Sequence, residues 1–225
     1  MLQKVHLLPE SFYMKSHLLL AALAIVGASA QATSYTDRAS FNAATTIAYT
    51  QDFETLSGTA SFTGPITFAD GLTVSSPSNN LFSVGVGQSS NSTEAIGSNY
   101  PPSDYLQFGL GGNFRAFGAD FFENFGGGAQ HSGPSTFQLT FFSGTTSVGS
   151  ITGQVAPNGG SFIGFTSSSF FNSVQVLSLD NSYEVADNVS VGNVSAVPEP
   201  ESYAMLLAGL GLVGLMVKRR KAKQA

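Results

Sequence analysis

The stretch Phe137-Gln138-Leu139-Thr140-Phe141 alternates large apolar and polar side chains at a period of two. Such a pattern suits an extended strand with one packed and one solvated face, and a second layer must then cover the apolar side. Val174 and Val176 repeat the pattern against Ser173 and Gln175, as do Val189 and Val191 against Asn188 and Ser190. Phe114 to Phe122 reads as another strand, apolar on both parities toward its end. Ser143-Gly144-Thr145-Thr146 supplies a turn into a strand holding Val148 and Ile151, and Gly126-Gly127-Gly128 and Asn158-Gly159-Gly160 mark loops. The surrounding composition, rich in Ser, Thr, Gly, Asn and Phe, favours pleated strands and tight turns over helix. Many short strands with frequent turns predict an all-β fold, an antiparallel β-sandwich. One short helix is expected, capped by Asp37 and running to Ala44, with Phe41 and Ala44 toward the core. The polar stretch 75–102 is read as short strands joined by surface loops, within the same domain. No internal repeat points to a propeller or solenoid.

Charge removes whole classes of function. The chain has nine Lys and Arg, but only Arg38 and Arg115 lie between Gln31 and Val197. Eleven Asp and Glu share that stretch, so two basic against eleven acidic side chains leave the body near −9. Nucleic acid is excluded as a partner, because binding it depends on Lys and Arg displacing counterions from phosphates. The absence of cysteine rules out disulfides, thiolate metal sites and a cysteine nucleophile. His131 is the one histidine left once a leader is removed, too few for a catalytic triad plus a histidine metal cluster, and it sits in a Gly-Pro loop. The glycines at 109–112 and 126–128 lack the Lys-Ser/Thr of a phosphate-binding loop. Asp120 and Glu123 invite a glycosidase reading, yet one pair among eleven acids is thin ground, and the body is expected to be non-enzymatic. Tyr100, Tyr105 and Tyr183 are candidates to stack on a sugar ring, with core or rim packing as the alternative. Asn91, Asn188 and Asn193 each begin an Asn-x-Ser/Thr triplet, which matters only where glycosylation machinery exists.

Both ends carry sorting information. Leu18 to Gly27 is an apolar run followed by Ala28-Ser29-Ala30, the small residues a signal peptidase accepts. A start at Met14 places Met-Lys-Ser-His directly before that run, so residues 1–30 are read as leader and signal peptide with the true start at Met14. The body spans 31–195. Residues 196–225 then bring Val197-Pro198-Glu199-Pro200-Glu201-Ser202, fifteen apolar residues from Tyr203 to Val217, and the basic cluster Lys218-Arg219-Arg220-Lys221. A helix over 203–217 rises about 1.5 Å per residue, short of the ~30 Å hydrocarbon core, so it is a marginal membrane span. The basic cluster would stop transfer and hold the tail in the cytoplasm.

These terminal residues resemble the PEP-CTERM sorting signals of Gram-negative bacteria, many of which make exopolysaccharide. The resemblance implies recognition of Pro198, Glu199 and Pro200 by an exosortase, cleavage near the motif, and release of the body to the cell surface or extracellular matrix. Glu201 departs mildly from the small residue common there. Two prolines fix φ and disfavour regular structure, which keeps such a motif extended and accessible.

Asp52-Phe53-Glu54 and Val185-Ala186-Asp187-Asn188-Val189-Ser190-Val191 resemble the early and late strands of jelly-roll carbohydrate-binding modules. The resemblance implies a jelly-roll-like sandwich in which Glu54 and Asp187 meet and hold a structural Ca²⁺, with backbone carbonyls completing the shell. Asp187 shares parity with Val185, Val189 and Val191, so its carboxylate is expected along their apolar face, bound to metal or hydrogen-bonded to backbone at a strand end. The functional expectation is an exported, exosortase-processed surface or matrix protein associated with exopolysaccharide and biofilm. The alternatives are a structural or adhesive protein acting through protein contacts and, third, a carbohydrate-active hydrolase using Asp120 and Glu123. Signal peptidase and exosortase are the expected processing partners, with passage through the inner membrane.

Overall fold

The computed structural model describes residues 32–56, 58, 60–88, 92–98, 104–124, 133–157, 159–180, 182–195 and 204–212. Met14, Ala28 to Ala30, Tyr100, His131, Pro198 to Pro200 and Lys218 to Lys221 lie outside the described residues.

The elements are β1 (Thr33–Tyr35), α1 (Arg38–Ala44), β2 (Thr45–Gln51), β3 (Ser61–Phe62), β4 (Ile66–Thr67), β5 (Thr73–Ser75), β6 (Leu81–Val84) and β7 (Ala95–Ser98). They continue with β8 (Leu106–Asn124), β9 (Ser135–Ser143), β10 (Thr146–Val155), β11 (Ser161–Ser178) and β12 (Tyr183–Val194). All strand pairings among the described residues are antiparallel. The expected all-β antiparallel fold is therefore present, and the short helix with it. Asp37 caps α1 by accepting from the Ser40 N–H at 2.8 Å, and Phe41 is fully buried.

The strands are not all short. β8 and β11 run for 19 and 18 residues because each passes from one layer to the other. In the first layer β9 and β5 flank their 106–109 and 173–178 halves. In the second, β1 and β12 flank their 116–121 and 161–166 halves. Register shifts between Thr166 and Ser173 mark the turn in β11. β8 turns through Gly111 at φ +69, where an added Cβ would lie 2.8 Å from the Gly71 carbonyl oxygen. Extra residues in a ladder bend a strand without ending it, which a count of turn residues does not reveal.

Aromatic rings close the two layers on each other. Phe141 stacks on Phe165 at 3.8 Å between centroids, and Phe121 meets Phe137 edge-on at 5.8 Å. Phe121, Phe137, Phe141 and Phe165 are each almost wholly buried, as the alternation in β9 requires. A smaller apolar cluster of Val84, Ala95, Phe122 and Val185 lies on the outer side of the second layer.

Beyond the body, residues 204–212 form a helix with every residue exposed, the described part of the span expected over 203–217. Among the described residues no helix is long and apolar enough to cross a membrane.

Candidate functional site

Asp187 is buried at 1% exposure, but not on the face its spacing suggests. Asn188 takes φ +50 and sits in a bulge, where the pairing of β12 with β8 shifts register between Asp187 and Ser190. One extra residue reverses parity. Ala186, Val189 and Val191 therefore join the main core, whereas Val185 joins the outer cluster. Asp187 follows Val185 outward and is the register partner of Asp120. The expectation that Asp187 shares the face of Val189 and Val191 is corrected by this bulge.

What buries Asp187 is the segment Thr93-Glu94. The Thr93 hydroxyl donates to Asp187 Oδ2, the Asn188 N–H donates to Oδ1 at 2.6 Å, and Asn188 Nδ2 donates to Oδ2 at 3.2 Å. Glu54 grips the same segment, its Oε1 accepting from the Glu94 N–H at 3.0 Å. Glu54 and Asp187 are thus brought to one place, across the two residues that both of them hold. Burial pushes the Asp187 carboxyl up to about 6; the hydrogen bonds from Thr93 and Asn188 oppose this, and the charges of Asp120 and Glu54 add to it. The backbone is strained on both sides of the cluster: Phe53, fully buried, takes φ +57 beside Glu54, and Asn188 lies beside Asp187.

Countercharge comes from Arg38 on α1. Its Nη2 lies 2.9 Å from Asp120 Oδ2, its Nη1 donates to Ser190 Oγ at 2.8 Å, and its guanidinium lies over the Phe162 ring at 4.7 Å. Asn188 Nδ2 donates to Asp120 as well, at 3.1 Å. Arg38, Asn42, Thr50, Asp120, Asn188 and Ser190 border an open cleft of about 540 Å³.

Asp120 and Glu123 are not brought together. Three residues apart on a strand, they fall on opposite faces. Asp120 lies beneath Arg38, while the Glu123 carboxylate accepts from Ser135 Oγ of β9 at 2.6 Å. Glu184, the register partner of Glu123, is fully buried and accepts from Ser98 Oγ at 2.8 Å and the Ser178 N–H at 2.6 Å. Burial raises the Glu184 carboxyl to about 7, against the pull of those hydrogen bonds, and the Asp104 charge raises it further. Tyr183 packs edge-on against Phe82 at 5.9 Å, and Tyr105 is half-buried.

The fit to a metal is mixed but chemically coherent. Among the described residues no three or more Asp, Glu, His or Cys side chains are gathered to hold a metal ion. Glu94 Oε2 is nonetheless buried without a hydrogen-bond partner, and the side chains of Glu54, Glu94 and Asp187 offer carboxylate oxygens, the ligand type Ca²⁺ takes. Thr93, Glu94 and Arg38 were not legible as site residues; the scarcity of cations in an acidic body was the one available pointer to Arg38.

Comparison with curated proteins found no match. Among solved structures, the chain is similar to the CBM22-1–GH10 modules of the Clostridium thermocellum endo-1,4-β-D-xylanase 10B, complexed with xylohexaose. The identity is 12% and the TM-score 0.41, covering 67% of this chain and 29% of that one. The chain thus spans under a third of that structure's length, and a similarity of this size says nothing of ligand or activity. Residues 196–221, by contrast, match the PEP-CTERM protein-sorting motif. The chain therefore carries a PEP-CTERM protein-sorting motif and is an exosortase-targeted exported protein.

Proposed function

We propose that the body over residues 31–195 works at the cell surface or in the extracellular matrix of a Gram-negative bacterium, as a non-catalytic protein associated with exopolysaccharide in a biofilm. The sorting motif at 196–221 carries this reading, since it addresses the acidic sandwich outward. Signal peptidase would remove the leader, and the segment 203–217 would lie transiently in the inner membrane until exosortase cuts beside Pro198-Glu199-Pro200. The separation of Asp120 and Glu123 onto opposite faces favours binding over hydrolysis. Mass spectrometry of the exported protein tests the processing: new termini near Gln31 and near Pro198 are expected, and a protein that keeps Lys218 to Lys221 would refute it.

Glu54 and Asp187 are read as the carboxylates of a structural Ca²⁺ site, with Glu94 Oε2 and nearby carbonyls as further oxygens. Bound there, the ion would neutralise carboxylates that now repel one another and would pin Thr93-Glu94 to β12. Calcium at 100 times its Kd should add about 2.7 kcal/mol of stability, and Glu54→Ala should abolish that gain. A melting temperature indifferent to calcium in the unaltered protein would remove the site.

Adhesion through protein contacts is the second reading. It is favoured by β10, which pairs only with β9 among the described residues and carries neither a charge nor a proline to deter another strand. Concentration-dependent association, lost when Ile151 becomes Lys, would favour it over polysaccharide binding.

A further inference from the structure

Arg115 is one of only two basic side chains in the body, and among the described residues it is not spent on any acid. Its guanidinium lies over the Phe170 ring at 4.1 Å, and its Nε is buried without a hydrogen-bond partner. No carboxylate among the described residues pairs with it, although eleven acids share the body. Phe170 is 47% exposed, the one phenylalanine among the described residues that stands as an exposed large hydrophobic side chain.

The surroundings extend this stack into a surface. Phe114 and Phe171 are register partners where β8 and β11 turn between layers, and both pack toward the core. On one side of that pair lies Arg115 with Phe170. On the other, Asn113 and Asn172 border a shallow groove of about 400 Å³, floored by Gly71, Gly109 and Gly111 with Thr73 beside them. Asn113 is exposed, and Asn172 spends its Oδ1 on the Gly144 N–H at 3.0 Å, leaving its NH₂ to donate. Successive same-side positions on a strand are about 6.6 Å apart, on the scale of one sugar ring.

We propose that the Arg115–Phe170 stack and its adjoining glycine-floored groove bind a polysaccharide segment carrying one carboxylated sugar among neutral ones. This rests on reading the body as a polysaccharide-associated protein. Each part matches a feature of such a ligand. The exposed ring offers an apolar face to a pyranose, while the guanidinium offers paired donors to a carboxylate. The two amides and Thr73 offer hydrogen bonds to hydroxyls, and a floor without Cβ atoms lets the sugar approach the backbone. The net charge near −9 disfavours a densely charged polyanion, so the carboxylates must be sparse.

Affinity electrophoresis of the exported protein tests this with three polymers: an exopolysaccharide bearing one glucuronate per repeat of neutral sugars, its carboxyl-reduced form, and polyglucuronate. The first should retard the protein most. Arg115→Gln and Phe170→Ser should each weaken binding about tenfold or more, and Asn113→Ala less, with unchanged melting as the control for folding. Carboxyl reduction should cost the unaltered protein as much as Arg115→Gln does, and should cost Arg115→Gln nothing further. Binding untouched by all three substitutions would overturn the site while leaving the polysaccharide reading intact. Equal binding to the reduced polymer, or strongest binding to polyglucuronate, would overturn the ligand class. Failure to bind any of the three, and any other glycan offered, would overturn both.

Discussion

The two arginines of the body make opposite use of the same chemistry. Each lies over a phenylalanine of β11, Arg38 over Phe162 and Arg115 over Phe170. Arg38 is committed to protein partners: it meets Asp120, Ser190 and the Asn188 carbonyl, and its ring support rests among Phe41, Gly118 and Gly164. Arg115 meets no acid among the described residues, and its ring support is half exposed. A guanidinium paired with a carboxylate and bonded to its strand neighbours holds structure together. One with donors to spare over an exposed ring is available to a ligand. The residue type cannot tell these apart; the neighbours do.

The comparison breaks first if Arg38 is not structural. Arg38→Met should cost about 3 kcal/mol in urea unfolding, because it leaves Asp120 facing Asp187 with no countercharge. Asp120→Asn in the same chain should restore much of that loss, a coupling a double-mutant cycle would measure. Additive losses would mean that the ion pair contributes nothing beyond its parts.

The next effect concerns an acid that has no arginine. Glu184 titrates near 7 in the folded chain against an ordinary 4.5, with Ser98, Ser178, Ser182, Asp104 and Glu123 around it and no cation among its described contacts. A raised folded value means that the folded state holds the proton longer. The contribution is therefore complete below about pH 4.5 and is lost as pH rises through 7. Stability should fall by on the order of 2 kcal/mol across that window, and Glu184→Gln should flatten the profile. An unchanged slope in that variant would assign the pH dependence elsewhere.

A smaller loss tests the floor beneath Arg38. A Cβ on Gly164 would lie 2.7 Å from Phe162 Cε1 and 2.9 Å from Phe41 Cδ2, so both rings must move. Gly164→Ala should cost about 1.5 kcal/mol, and less in a chain already carrying Arg38→Met. The smallest effect is expected at the other arginine. Arg115→Gln should change stability by under about 1 kcal/mol, even as it weakens glycan binding. A loss there as large as at Arg38 would erase the distinction between the two.

Much of the architecture was legible because alternation at a period of two has one physical solution. Phe137, Leu139 and Phe141 had to face a core, and all three are fully buried. Asp37 before a short run to Ala44 was legible as a cap and forms one. The length of β8 and β11 was not, since a bend that keeps its hydrogen-bonded neighbours carries little mark in composition. Nor was the side Asp187 would take, because a bulge at Asn188 reverses parity without altering the pattern of residue types. Glu54 and Asp187 were paired by resemblance alone, and the Thr93-Glu94 segment that each of them holds was not legible, because it lies in a polar stretch without periodicity. Nothing in the sequence sets Phe170 apart from the buried phenylalanines, since exposure is decided by what the chain folds against.

By itself the sequence determined what does not depend on distant neighbours. The sorting motif at 196–221 is a matter of local residue order, strand periodicity acts within a few residues, and the charge near −9 is a sum over composition. Only the tertiary structure decided which carboxylates share a face, which arginine is neutralised and which ring remains in solvent. Those outcomes depend on register between strands far apart in the chain, and a shift of one residue sends a side chain to the opposite face.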